Sequence, residues 1–306
     1  MSRYESMFAT CEQQKRGAMV PFVMLGDPTL EASERIIDEL IAAGADALEL
    51  GLPFSDPVAD GVAIQEAHLR VFARGINIAD CFDLIGRLRA KHPQVPMGLL
   101  IYSNIPIAMG LEAFYERCAS AGVDSVLIPD VPIREGRPFS TASRAVGVDS
   151  VYIAPPSASE ETLAQVAEAA RGYVYAVSRV GVTGVENEAQ TQGLNNAVPT
   201  LREHNSTPVL LGFGISKPKH VRAAIVAGAD GAITGSAIVR MIAARTEEIV
   251  AAQERSGAPA LQATAPGVNQ PLDELCAQLR EFFTSMCAPR LWPAPMGPLL
   301  ARRLCA

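Results

Sequence analysis

The amino-acid sequence predicts a single (β/α)8 barrel, the TIM barrel fold of the α/β class, with an extra N-terminal helix and a C-terminal helix plus tail. Three observations predict it: eight short apolar runs, amphipathic segments between them, and a turn motif that recurs before four of the runs. The 306 residues are 49% hydrophobic, enough for one large core, and barrels of this size form a single domain. A doubly wound parallel sheet is the alternative.

The eight apolar runs have the length and composition of strands that are buried on both faces. They cover residues 20–24, 47–50, 97–101, 125–128, 150–153, 173–177, 208–211 and 231–234. Apolar residues at helical spacing lie between them, in 29–43, 79–91, 111–121, 160–171 and 217–227. Because strand and helix alternate, we expect a parallel sheet, and eight units favour its closure into a barrel.

A four-residue motif with glycine second and aspartate fourth stands just before four of the runs, at 43–46, 121–124, 146–149 and 227–230. Glycine can end a helix in the left-handed conformation, and aspartate favours a short turn into the next strand. We therefore expect these aspartates at the N-terminal face of the barrel, with a structural role.

Additional helices are predicted at both ends of the chain. Residues 2–16 place Tyr4, Met7, Phe8 and Cys11 on one face, which we expect to cover the bottom of the barrel. After the last strand come helices at 236–241 and 246–255, a loop at 256–270 and an amphipathic helix at 271–286. The catalytic domain is thus expected to span 1–286, and 287–306, rich in proline and arginine, to be a mobile tail.

Composition and charge exclude several classes of function. The net charge of −7 argues against a nucleic-acid or anionic membrane partner. We find neither an apolar run long enough to span a membrane nor a secretion signal, and we expect a cytoplasmic protein. The six cysteines form no Cys-X-X-Cys pair and the four histidines have no metal-ligand spacing, so we expect free thiols and no metal.

Two acidic residues stand where a barrel places its chemistry, at the C-terminal ends of the strands. Glu49 is among the last residues of the second run, and a buried carboxylate is costly unless it is paired or used. A structural Glu49 held by backbone amides or a lysine is the alternative. Asp60 ends a proline-containing loop, and its alternative role is the N-cap of a helix at 61–73. Together the two can divide acid and base roles if their surroundings separate their pKa values.

Three glycine-containing turns follow the sixth, seventh and eighth runs, at 181–184, 212–216 and 234–237. Glycines let backbone N–H groups approach an anion, and a helix that begins at Ser236 adds its N-terminal dipole. Since lysine is absent from these turns, we expect backbone amides to hold a phosphate there. Apolar residues at the same face are either core or the lining of a site for a flat apolar ligand: Phe22, Leu100, Leu127, Ile153 and Tyr175.

These motifs resemble the tryptophan synthase alpha chain family. The stretches that carry the resemblance include Leu-Gly-Asp-Pro at 25–28, Glu-Leu-Gly-Leu-Pro-Phe-Ser-Asp-Pro at 49–57, Ala-Asp-Gly at 59–61, Pro-Asp-Val-Pro at 129–132, Gly-Val-Thr-Gly at 181–184, Gly-Phe-Gly-Ile at 212–215 and Gly-Ser-Ala-Ile-Val at 235–239. The resemblance covers residues 3–286. It implies a lyase of L-tryptophan biosynthesis that cleaves indole-3-glycerol phosphate to indole and glyceraldehyde 3-phosphate.

The resemblance also implies roles for individual residues. Glu49 would be the acid and base at indole C3 and the glyceryl hydroxyl, and Asp60 would accept a hydrogen bond from the indole N–H. Tyr175 would support Glu49 or line the pocket, and Thr183 would close over the site. Phe22 and Leu100 would sandwich the indole. The phosphate would be held by amides around the following residues: Gly184, Phe213, Gly214, Gly235 and Ser236.

The implied partner is a beta chain that receives the indole, in an alpha2beta2 tetramer. The expected contact residues are Pro53, Phe54, Asp56, Pro57, Tyr102 and Asn104. This chain would carry no cofactor, since pyridoxal phosphate belongs to the beta chain, and its loops would need the partner for full activity. Two residues depart from the family pattern: Met24, where a small polar residue is expected, and Arg134, where glutamate is usual.

Three other interpretations compete with this one. The chain could be a stand-alone indole-releasing lyase, or a non-catalytic allosteric subunit, although a scaffold has no reason to bury Glu49. A third is another phosphate-binding barrel, such as an isomerase or an indole-3-glycerol phosphate synthase. The synthase needs a catalytic lysine at a strand end, and none of the eight runs ends in one.

Overall fold

The structure, a computed structural model, describes residues 1–177, 194–204 and 206–291, and it contains a closed parallel barrel with its strands in chain order. The strands are β1 Ala18–Met24, β2 Leu48–Gly51, β3 Met97–Leu100, β4 Ser125–Leu127, β5 Asp149–Ala154, β6 Val174–Val177, β7 Val209–Gly212 and β8 Gly231–Thr234. Strand β1 closes the barrel by pairing with both neighbours, since Phe22 lies opposite Glu49 and Pro21 lies opposite Thr234. The barrel prediction is confirmed and the doubly wound alternative is not.

Helices surround the barrel. They are α1 Arg3–Gln13, α2 Leu30–Ala42, α3 Val62–Ala73, α4 Ile78–Lys91, α5 Asn104–Met109, α6 Leu111–Ala121, α7 Arg137–Ala145, α8 Glu160–Ala169, α9 Leu194–Glu203, α10 Pro218–Val226, α11 Ser236–Ala243, α12 Thr246–Ser256, α13 Ala260–Ala263 and α14 Gln270–Cys287. The helices predicted from apolar spacing are present, and their ends differ from the predicted ones by two residues or fewer in most cases. Four helices were not predicted: α5 and α13 are short, α7 is mainly polar, and α9 contains Pro199.

The core has an inner and an outer part. Inside the barrel, side chains such as Val20, Leu210 and Ile233 pack with Tyr4 of α1. Between the barrel and its helices, a larger cluster includes Ile36, Leu84 and Leu279. Burial on both faces of a strand removes apolar surface from water on each side, which accounts for the continuous apolar runs.

The N-terminal face of the barrel is closed by α1. Helix α1 begins with a capping box between Ser2 and Glu5, and its residues Tyr4, Met7 and Cys11 are buried. The Tyr4 hydroxyl lies 2.8 Å from Ser125 Oγ, inside the barrel. The predicted role of this apolar face is confirmed.

The aspartates of the turn motif bind backbone at the same face. Asp46, Asp124 and Asp230 each accept a hydrogen bond of 2.8 Å from a strand amide, those of Met19, Met97 and Val209 respectively. Each also pairs with arginine, through Arg16 and Arg290 at Asp46, Arg3 and Arg89 at Asp124, and Arg202 at Asp230. These bonds tie successive strands together, which confirms a structural role for these three aspartates.

The C-terminal part differs from expectation in two places. The predicted loop at 256–270 contains the four-residue helix α13. The predicted mobile tail begins with residues that pack on the barrel, because Arg290 Nη1 lies 2.8 Å from Asp46 Oδ2 and Leu291 bridges to Arg16. The rest of the tail, 292–306, lies outside the described residues. Within the described residues, no helix is both long and apolar enough to cross a membrane.

Candidate active site

A pocket opens at the C-terminal ends of the strands, where this fold is expected to place its site. It is lined by Phe22, Glu49, Asp60, Ile64, Leu100, Tyr175, Phe213, Gly214, Ile215, Ile233, Gly235 and Ser236. The pocket therefore brings together both predicted carboxylates, three of the five predicted apolar side chains (Phe22, Leu100 and Tyr175) and two of the three predicted glycine turns.

Glu49 projects from β2 into an apolar environment. Its side chain is buried, and Tyr173 of the segment leading into β6 donates a 3.0 Å hydrogen bond to Oε1. Burial raises the pKa of Glu49 from its usual 4.5 to about 8; the Tyr173 bond lowers it and the nearby charge of Asp60 raises it. The residue therefore carries a proton at neutral pH and can release it to a substrate. The partner is a tyrosine hydroxyl, not the lysine or amides of the structural alternative.

Asp60 has a polar environment. Tyr102 donates a 2.9 Å hydrogen bond to Oδ2, and His68 Nε2 lies 3.2 Å from the same oxygen. The alternative role as a helix N-cap is not observed, because the N-cap of α3 is Gly61. Two donors on one oxygen stabilise a carboxylate anion, so the two acidic groups at this mouth have contrasting surroundings.

Two tyrosines of the β6 region, Tyr173 and Tyr175, face the barrel interior. Side chains two residues apart in a strand point to the same face. Tyr173 is the one bonded to Glu49, whereas Tyr175 lines the pocket. Of the two predicted roles of Tyr175, the structure therefore matches the lining. A Cβ at Gly212 would lie 2.1 Å from the Tyr175 hydroxyl oxygen, so glycine there leaves room for the ring.

The apolar wall of the pocket includes Phe22 and Leu100, as predicted. Glycine makes space for Phe22 as well, because a Cβ at Gly51 would lie 2.8 Å from its ring. Leu127 and Ile153 do not line this pocket: Leu127 is buried in the inner core and Ile153 faces a neighbouring groove that includes Arg134.

The effect of the unusual residue Met24 on this pocket is indirect. Met24 is 1% exposed and packs beside Phe22 against the backbone of Gly51. It is absent from the pocket lining. Met24 therefore lies beside Phe22 at Gly51 and does not itself line the pocket.

Backbone at the ends of β7 and β8 can hold an anion. Phe213 and Gly214 adopt left-handed conformations with φ of 67° and 74°, and Gly235 and Ser236 begin α11 at the pocket. Amides at the first turn of a helix lack intrahelical partners and attract negative charge. The remaining predicted turn, at 181–184 with Thr183 and Gly184, lies outside the described residues.

Comparison with known proteins assigns the family. The sequence model of the tryptophan synthase alpha chain family matches residues 8–265. The chain belongs to this family. A tryptophan synthase alpha chain from Corynebacterium glutamicum is 49% identical over 288 residues, 94% of this chain and 98% of that protein. One from Aeromonas hydrophila is 56% identical over 244 residues, 79% of this chain and 90% of that protein. A tryptophan synthase structure from Mycobacterium tuberculosis has a TM-score of 0.78 at 25% identity, covering 95% of this chain and 99% of that one.

As a tryptophan synthase alpha chain, the protein is a lyase that cleaves indole-3-glycerol phosphate to indole and glyceraldehyde 3-phosphate, the alpha reaction of L-tryptophan biosynthesis. Neither the stand-alone lyase nor the non-catalytic subunit is favoured by these comparisons. Alpha chains of this family partner with a beta chain, and the alpha chain is not itself the cofactor-binding subunit.

The residues expected to contact a beta chain lie beside the pocket of this alpha chain. In the 53–57 segment, Asp56 is exposed, whereas the Phe54 ring stacks on Tyr102 at 5.1 Å between centroids. Asn104 is exposed at the start of α5. Tyr102 is buried and connects the segment to Asp60. The expected contact residues therefore include two that are exposed, Asp56 and Asn104, and one, Tyr102, that connects this surface to the pocket.

Two polar residues of the site were missed by sequence reasoning. Tyr173 had a usable signal, since its spacing of two from Tyr175 turns both side chains to the same face. His68 had none, because a histidine on a helix is an ordinary pattern and its partners, Phe54 and Asp60, precede that helix.

Proposed function

We propose that Glu49 and Asp60 perform the cleavage, with Glu49 as the acid and base and Asp60 as the stabilising anion. The observation that carries this proposal is the contrast between their surroundings. Among the described residues, Glu49 is buried and accepts one hydrogen bond, from Tyr173, with a pKa raised to about 8, whereas Asp60 receives two donors on Oδ2. Glu49 is thus suited to give up a proton, whereas the two donors on Asp60 favour the anionic form of that carboxyl, as a divided mechanism requires.

The chemical step balances with Glu49 used twice. Protonated Glu49 transfers its proton to indole C3, which becomes tetrahedral and leaves a positive charge on the ring nitrogen. The resulting carboxylate then takes the proton of the glyceryl hydroxyl next to the bond that breaks. The electron pair of that C–C bond returns to the indole ring, the aldehyde forms, and Glu49 is protonated again. Asp60 accepts a hydrogen bond from the ring N–H and stabilises the transient cation.

The remaining pocket residues would orient the substrate. Phe22 and Leu100 would hold the indole between them, and backbone amides at Phe213, Gly214, Gly235 and Ser236 would bind the phosphate. Gly184 would also bind the phosphate, and Thr183 would close over the bound substrate. Holding both ends of the substrate places C3 near Glu49, which lowers the barrier by orientation.

The partner arrangement is also a proposal. The segment 53–57, with Tyr102 and Asn104, would contact a beta chain that uses pyridoxal phosphate, in an alpha2beta2 tetramer acting in the cytoplasm. The exposed Asp56 and Asn104 beside the pocket mouth support this location. A partner seated there would receive indole directly and order the loops that enclose the substrate.

Indole release from indole-3-glycerol phosphate, with and without a beta chain, tests this function. We expect slow release by the free chain and much faster release with the partner. Fast release by the free chain alone would contradict the proposed dependence on a partner. A Glu49→Gln chain with normal turnover would contradict the assigned acid and base.

A further inference from the structure

His68 joins the 53–57 segment to Asp60 through both of its ring nitrogens. The side chain is 4% exposed, Nδ1 lies 3.0 Å from the Phe54 amide nitrogen and Nε2 lies 3.2 Å from Asp60 Oδ2. A backbone amide can only donate, so Nδ1 accepts the Phe54 proton. In the neutral ring the proton must then sit on Nε2, from which it is donated to Asp60.

The helix that carries His68 is itself anchored. Arg70, two residues further along α3, forms two hydrogen bonds to the fully buried Asp27, of 2.9 Å from Nε and 2.7 Å from Nη2. Gln65 of the same helix donates a 2.7 Å bond to the Asp60 carbonyl oxygen. Buried ion pairs of this kind resist displacement. Helix α3 is therefore held in position, and with it the backbone of His68.

A second connection runs in parallel from the same residue of the segment. The Phe54 ring stacks on Tyr102, whose hydroxyl accepts a 3.0 Å bond from the Ala59 amide and donates a 2.9 Å bond to Asp60 Oδ2. The backbone route through His68 and the ring route through Tyr102 thus end on one oxygen of Asp60. Two donors on Oδ2 fix the rotation of the carboxylate, and the described part of the chain places no donor on Oδ1, which can therefore face a ligand.

We propose that His68 is a positioning residue: by accepting from the Phe54 amide and donating to Asp60 it makes the orientation of that carboxylate depend on the conformation of the 53–57 segment. When a beta chain orders the segment, the tie through Phe54 sets the ring, and the ring sets Asp60 for the indole N–H. The inference deepens the proposed function and rests on its partner surface.

Two substitutions separate the two bonds of His68. In His68→Asn the amide oxygen reaches the position of Nδ1 and still accepts from Phe54, but the donor to Asp60 is lost. In His68→Gln the amide nitrogen reaches the position of Nε2 and still donates to Asp60, but the tie to Phe54 is lost. We expect His68→Asn to lower kcat of the free chain roughly 10-fold with little change in KM, as expected for a lost bond to a charged group. We expect His68→Gln to lower kcat of the free chain less than His68→Asn does, and to lose most of its activation by the beta chain.

A matched control is available at His92. Its Nε2 also lies against an aspartate, 2.7 Å from Asp38 Oδ1, but it follows α4 at the opposite face of the barrel. His92→Asn and His92→Gln therefore change a similar histidine–aspartate contact away from the pocket. We expect both variants to keep the wild-type kcat and the wild-type activation by the beta chain.

The outcomes distinguish this inference from the proposed function. If the beta chain activates wild type and His68→Gln equally, the link through Phe54 is wrong. If the beta chain fails to activate wild type, the proposed partner surface is wrong; a 10-fold loss in the free His68→Asn chain then still supports the link to Asp60, and unchanged kcat overturns it.

A measurement on the wild-type chain keeps the inference testable if the variants fail to fold. Nitrogen-15 NMR reports the tautomer of each of the four histidines, and through-bond correlation of the ring to the assigned backbone of the wild-type chain identifies the His68 signal. We expect His68 as the Nε2–H tautomer with Nδ1 accepting. The Nδ1–H tautomer, or a mixture of both, would contradict the proposed pair of bonds.

Discussion

Replacing Glu49 by glutamine separates the proposed catalytic role of this residue from its contribution to stability. Glutamine has nearly the same shape as a protonated glutamate and can still accept the bond from Tyr173, but it cannot transfer a proton. If Glu49 is the acid and base, we expect turnover to fall by about 10²–10⁴-fold. The structure adds a second expectation, that the variant is more stable than wild type at alkaline pH.

The magnitude follows from the pKa of Glu49, which burial raises from its usual 4.5 to about 8. Between these values the folded chain keeps a proton that the unfolded chain has released, so the free energy of unfolding falls as pH rises, by about 1.4 kcal/mol per pH unit. Below 4.5 both states are protonated and above 8 both are ionised, so the full loss, on the order of 5 kcal/mol, is present above pH 8. Glutamine stays neutral throughout and removes this loss.

Urea unfolding of both chains at about pH 5 and about pH 9, together with indole release, measures the two effects. We expect less than about 1 kcal/mol between the chains at the lower pH and several kcal/mol in favour of Glu49→Gln at the higher pH. Glu116→Gln, at an exposed site on α6, is the control and should show no such change. An unchanged difference between the two pH values would refute the raised pKa, and retained turnover would refute the catalytic role.

Three further predictions concern the same pocket. Tyr173→Phe removes the bond that lowers the pKa of Glu49, so the pH–rate profile should move to higher pH; an unmoved profile would count against Glu49 as the titrating group. Asp60→Asn keeps the side-chain shape but removes the anion, so kcat should fall about 10²–10³-fold while inhibition by glyceraldehyde 3-phosphate is unchanged; a change in that inhibition instead of kcat would place Asp60 at the phosphate. Gly212→Ala puts a Cβ 2.1 Å from the Tyr175 hydroxyl oxygen, so KM should rise and the thermal midpoint should fall; wild-type values of both would mean that the ring adapts freely.

Much of the architecture was predictable because it depends on local chemistry. Apolar runs buried on both faces, amphipathic helices and the glycine and aspartate turns each report on a few neighbouring residues, and parallel strands align their C-terminal ends by necessity. The positions of Glu49 and Asp60 at one mouth follow from that alignment. The helices α5 and α7 were missed because short or polar helices are stabilised by packing more than by their own sequence.

The hydrogen-bond partners of the site could not be predicted in the same way. Glu49 and Tyr173 are separated by 124 residues, and which of Tyr173 and Tyr175 reaches the carboxylate depends on how far each strand is shifted along its neighbours. Burial likewise decides that Glu49 holds a proton at neutral pH, although its sequence context is only that of a strand end.

The sequence by itself thus determined the barrel, the catalytic face and the two carboxylates, since these follow from periodicity and from the direction of the strands. Tertiary structure decided which side chains complete the site: Tyr173 on Glu49, His68 and Tyr102 on Asp60, and glycines that admit the larger rings. The physical reason is the distance along the chain over which each kind of interaction acts. Patterning acts over a few residues, whereas a buried hydrogen bond or a pKa depends on every group that folding brings within reach.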